Sequence, residues 1–175
     1  EEKPVLNAGE KAAENAVAHA KFMAVLKRPG VYTLLFLAAF VSTFGLQYSV
    51  LMPVIADKLL HGESVAYGFL SAAGGVGALA GALTVAFMGD RQGLRKRIGW
   101  ACLGLSLALA LLAFSQFMIL SVVAILAAGS CLSMHWTGGN SLMQQCVEPS
   151  SRGKLMGVYT TFTLGLAPFT ALIAG

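Results

Sequence analysis

Along this chain the charged positions are gathered into short clusters, and long apolar blocks lie between them. Val31–Ala56, Val65–Met88, Ile98–Val147 and Leu155–Gly175 contain no Asp, Glu, Lys or Arg. About 20 helical residues at 1.5 Å rise cross the ~30 Å hydrocarbon core of a bilayer. Each block therefore predicts at least one membrane-spanning helix. Ile98–Val147 is long enough for two, with Ser115–Gln116 as the expected turn. The pattern predicts five transmembrane helices, at about 31–56, 65–88, 98–115, 117–147 and 154–175.

Residues 1–30 are the one extended polar region. The segment EKAAENAVAHAKFMAVLK has good helix formers, with Glu10 and Glu14 early and Lys21 and Lys27 late, the order a helix dipole favours. It reads either as a helix lying on the membrane surface or as a solvated linker. Arg28-Pro29-Gly30 then punctuates the approach to the first span. The chain begins at Glu1 and stops at Gly175 inside an apolar run, which reads as a piece of a longer protein.

Composition agrees with the pattern. Charged residues make up 11% of 175 and hydrophobic ones 57%, against roughly 25% charged in a soluble domain. Too little polar surface is present to cover a water-soluble fold. Cys102, Cys131 and Cys146 fall inside predicted spans without CxxC or Cys/His metal spacing, so neither a metal nor a disulfide framework is expected.

The placement of charge sets an orientation. Lys21, Lys27 and Arg28 precede the first span. GDRQGLRKR joins the second and third, and EPSSRGK the fourth and fifth. The alternate connections are poor in bases: DKLLHGES carries Lys58 alone, and Ser115–Gln116 carries none. Basic loops are retained in the cytoplasm. The amino end, 89–97 and 148–154 are thus expected to be cytoplasmic, and the net charge of +4 is an orientation signal, not a nucleic-acid footprint.

Within the second span, Gly75, Gly77 and Ala80 match the dinucleotide pattern GxGxxG/A. That pattern needs a preceding strand and a helix N-terminus, and here it lies mid-membrane. Gly74, Gly77, Ala78 and Gly81 instead form the small face of a helix built for close packing. The third span, nearly pure Leu and Ala, reads as lipid-facing.

The fourth span differs. Ser133, Thr137, Asn140 and Gln144 follow spacing of three and four and share a face. A polar face in the bilayer points at protein or at a water-filled path. Gln47 and Tyr48 in the first span, and Tyr159 in the fifth, are further candidates for that path. His135 is an ionisable group deep in a span; it reads as a proton carrier or as a neutral, hydrogen-bonded structural imidazole. Pro53 and Pro168 predict bends.

Asp90-Arg91-x-Gly93 followed by a basic cluster, in a cytoplasmic loop between the second and third spans, resembles the signature loop of the major facilitator superfamily. VEPSSRGKLMGVY, with Pro149, Arg152 and Gly153, resembles the second cytoplasmic loop of the same six-helix half. Two departures stand out: Ala86 where the pattern has Gly, and Leu94 where it has a base. The resemblance implies an all-α half bundle of which five helices are present, with residues 1–30 as the central loop before a carboxy-terminal half. The general look is similar to bacterial siderophore and macrolide exporters.

That resemblance implies a secondary transporter in a bacterial inner membrane, moving a small molecule outward by alternating access and driven by protons. It implies no enzyme activity and no cofactor. Its partners would be lipid, the amino-terminal half, the substrate and protons. The gate or latch would comprise Asp90, Arg91, Gly93, Arg95, Lys96, Arg97, Arg152 and Gly153. The path would be lined by Gln47, Tyr48, His135, Asn140, Gln144 and Tyr159. A competing class is a membrane scaffold without transport, in which the polar residues of the first, fourth and fifth spans would not converge.

Overall fold

The computed structural model describes residues 17, 19–20, 22–45, 52–53, 55–56, 64–87, 91–147 and 149–165. Its named elements are α1 (Pro29–Gly45), α2 (Ser64–Ala86), α3 (Arg91–Ala113), α4 (Met118–Gln145), a 3-10 turn (Pro149–Ser151) and α5 (Arg152–Leu164). Among the described residues there is no strand. Val65–Ala86, Gly93–Ala113 and Met118–Gln145 are long and apolar enough to cross a membrane; Pro29–Gly45 is a shorter apolar helix.

One boundary differs from those predicted, and the turn expected at Ser115–Gln116 falls between two helices. The basic cluster after Asp90 is helical, not a loop: α3 starts at Arg91, seven residues before the apolar run begins at Ile98. Arg and Lys are good helix formers, and here they extend the helix beyond its apolar part. The chain reverses between Ala113 and Met118, where the Ser115 hydroxyl donates to the Phe117 carbonyl at 3.1 Å and lies 2.8 Å from the Ser121 hydroxyl.

Helix α4 is the centre of the bundle. Four buried clusters can be traced, and α4 contributes to each: Ala124 and Ile125 to the first, Ala128 and Leu132 beside Leu105 and Val41, Met143 beside Val31 and Leu155, and Leu142 beside Leu94 and Ile98. The outward faces are the reverse of a soluble protein's. Phe36, Phe40 and Phe44 form an exposed ladder on α1, and Leu103 and Leu107 are exposed on α3. Apolar surface on this scale is at home only in hydrocarbon. The protein is an integral membrane protein.

The closest helix pair is α2 and α4. A Cβ on Gly77 would clash with the backbone carbonyl of Leu126, and one on Gly81 with that of Ser130. From the other side, a Cβ on Gly129 would strike the backbone of Gly74. The small face read from the sequence is thus a backbone-to-backbone contact, the arrangement that drives helix association where water cannot. Some hydroxyls in the helices are satisfied locally: Thr84 donates to the Ala80 carbonyl at 2.8 Å and Ser106 to that of Cys102 at 3.0 Å, a bond that lets Ser and Thr reside in a bilayer. The buried Ser42 hydroxyl has no partner among the described residues.

Candidate translocation groove

Leu126, Ser130, Ser133, Thr137, Asn140 and Gln144 recur every three or four residues along α4, forming one stripe. Its upper part is covered by α2, which ends at Ala86 soon after the Gly81–Ser130 contact. Below that, the stripe turns polar and faces α5. A groove of about 290 Å³ opens there, lined by Trp136, Thr137, Asn140, Met156, Tyr159, Thr160, Thr163 and Leu164. A second groove of about 360 Å³ shares Thr137 and Asn140 and runs to Ser141, Gln144, Gln145 and Arg152. Together they make a polar track from mid-helix to the base at the start of α5.

Within this track the groups are aligned by short bonds. The Gln144 side-chain amide donates to Asn140 Oδ1 at 2.9 Å, and Gln145 donates to the Ser141 hydroxyl at 3.3 Å. Thr163 Oγ1 donates to the Tyr159 carbonyl. By contrast, Trp136 Nε1 and the Tyr159 hydroxyl are buried and have no hydrogen-bond partner among the described residues. Buried polar atoms are nearly always paired; Ser42 Oγ and His135 Nε2 are in the same condition away from the grooves, whereas Trp136 and Tyr159 lie beside one. Tyr159 is held there by packing with Val31, Leu35, Met143 and Leu155, and Gly139 leaves room for its hydroxyl, which would lie 2.9 Å from a Cβ at that position.

His135 does not line either groove. It is 1% exposed and turned toward α3, with Nδ1 3.5 Å from Cys102 Sγ. Its Nε2 has no partner among the described residues. This also revises the reading of α3 as purely lipid-facing: Leu103 and Leu107 are exposed, but Ala101, Leu105, Ala108 and Leu112 are buried. Gln47, Tyr48 and Asp90 lie outside the described residues. Of the proposed latch group, Arg95, Lys96 and Arg97 are exposed on the first turns of α3, and Arg152 and Gly153 open α5. The Arg95 guanidinium reaches the start of α1, 3.6 Å from where a Cβ on Gly30 would sit. Trp136, Thr137, Ser141, Gln145, Thr160 and Thr163 also line the grooves but were not among the expected path residues.

Comparison with known proteins places this geometry. A family model described as Major Facilitator Superfamily matches residues 1–171. Neither curated proteins nor solved structures give a match.

Proposed function

The chain belongs to the Major Facilitator Superfamily, a family of secondary transporters, and from that membership we propose that it forms part of a proton-coupled exporter of a small molecule working by alternating access. The observation that carries the reading is the polar track on α4 and α5, with Asn140, Gln144 and Tyr159 brought to one face of an otherwise apolar bundle. In this reading the chain is the carboxy-terminal half, residues 1–30 are the central loop, and an amino-terminal half closes the track into a path. The amino end, 89–97 and 148–154 face the cytoplasm of a bacterial inner membrane, in keeping with the basic residues gathered there. Gln47, Tyr48 and His135 remain part of the proposed path, with His135 acting from the α3 side.

The test is flux through the full-length transporter in proteoliposomes, with siderophores and macrolides as trial substrates, with and without an imposed pH gradient. Export accelerated by the gradient supports the reading. Flux indifferent to the gradient removes proton coupling, and no flux of any trial substrate removes the exporter.

Alternating access needs contacts that differ between its two states. Asp90 supplies one: its carboxylate can pair with Arg91 or Arg95, or meet the positive end of a helix in the other half. Arg152 and Gly153, at the start of α5, offer the matching site. Asp90→Asn is expected to move the inward/outward ratio by up to about fivefold, read by distance measurements between spin labels on the two halves. Unchanged populations would remove the latch.

A further inference from the structure

A third groove lies between α3 and α4, nearer the middle of α4, where it reaches Ser130. It measures about 580 Å³ and is lined by Gly93, Lys96, Arg97, Trp100 and Ala101 of α3 with Ser130, Cys131 and Met134 of α4. We propose that it is a binding site for one anionic phospholipid, with the headgroup phosphate at Lys96 and Arg97 and an acyl chain descending toward Cys131.

The order of side chains along α3 matches the order of chemistry in a leaflet. Lys96 and Arg97 come first, Trp100 follows one turn deeper and is 71% exposed, and Leu103 and Leu107 below it are exposed as well. Charge, then an amphipathic ring, then aliphatic surface is the sequence met when passing from headgroups into hydrocarbon. The groove follows the same axis. Its α3 lining runs from Gly93 to Ala101, and at 1.5 Å per residue this extends it about 12 Å along the helix axis. That length suits a glycerol backbone and the upper part of an acyl chain, and exceeds what a free phosphate would fill.

Charge favours an anionic headgroup. The segment 89–97 holds four bases, Arg91, Arg95, Lys96 and Arg97, against one acid, Asp90. Pairing Asp90 with any one of them leaves three positive charges at the membrane surface. Arg95 points toward α1, whereas Lys96 and Arg97 line the groove. The site is separate from the polar track, since the two share no lining residue.

Native mass spectrometry of the full-length transporter, titrated with phosphatidylglycerol and phosphatidylcholine of matched chains, tests this. Phosphatidylglycerol is expected to bind more tightly, and Lys96→Gln with Arg97→Gln is expected to reduce that preference by roughly thirtyfold. Lys27→Gln with Arg28→Gln, equal in charge removed, should leave it intact. Equal retention of the two lipids would overturn the proposal. So would an equal loss in both double variants, which would mean diffuse surface attraction. Displacement of the bound lipid by millimolar inorganic phosphate would reduce the site to a simple anion site and overturn it too.

Discussion

Gly77→Ala is expected to destabilise the bundle by about 1–3 kcal/mol, the cost of overpacking a filled interior. The added Cβ would sit 2.9 Å from the Leu126 carbonyl carbon and closer still to its oxygen. Neither neighbour is the end of a flexible side chain, so α2 and α4 must move apart to admit it. Parting them also opens the Gly81–Ser130 and Gly129–Gly74 contacts, because all three lie along one seam. Gly77→Ala combined with Gly81→Ala should therefore lower the yield of folded, monodisperse protein sharply. Gly75→Ala is the control. It lies two residues away in the same helix with nothing within 4 Å of the new methyl, and should change stability by no more than about 0.5 kcal/mol. Thermal melts followed by size-exclusion chromatography give the answer. Similar losses for Gly75→Ala and Gly77→Ala would mean that the seam does not hold the helices together.

That seam was legible in the sequence because spacing alone decides which small residues share a face. The apolar blocks were legible for a similar reason: a bilayer imposes a length. Helix ends were not, since hydropathy marks where the membrane stops and the helix does not. Arg91–Arg97 carry four bases and are still helical, because Arg and Lys cost a helix little and can reach water from its flank while Leu94 is buried. The central position of α4 had only an indirect signal, its 28-residue length and its mix of small and polar residues on several faces.

The orientation of His135 could be read from the wheel. At about 100° per residue it lies roughly 200° around α4 from Ser133, opposite the face of Thr137, Asn140 and Gln144. Its chemistry made it a path residue, and its azimuth puts it against Cys102 on α3. What no single-chain pattern could supply is which helix covers each face. The polar stripe meets α5 only because α2 ends at Ala86.

The polar track yields the second large effect, on transport. Tyr159→Phe removes one hydroxyl and keeps the ring that packs on Val31, Leu35 and Leu155. Asn140→Leu removes a groove-lining amide whose oxygen accepts from Gln144. With the Tyr159 hydroxyl and, at the cytoplasmic end of the track, Arg152, this lining suits a substrate that presents oxygen acceptors. One hydrogen bond to such a substrate is worth about 0.5–1.5 kcal/mol net. Each substitution should then lower transport at subsaturating substrate by up to about tenfold. The melting temperature should stay near that of the parent, because the Tyr159 hydroxyl makes no hydrogen bond among the described residues and Asn140 is only partly buried. Thr84→Val, on α2 and away from the track, whose hydroxyl is satisfied by the Ala80 carbonyl one turn earlier in the same helix, should leave transport unchanged. If both groove variants transport as the parent does, the track on α4 and α5 is a packing seam and the substrate passes elsewhere.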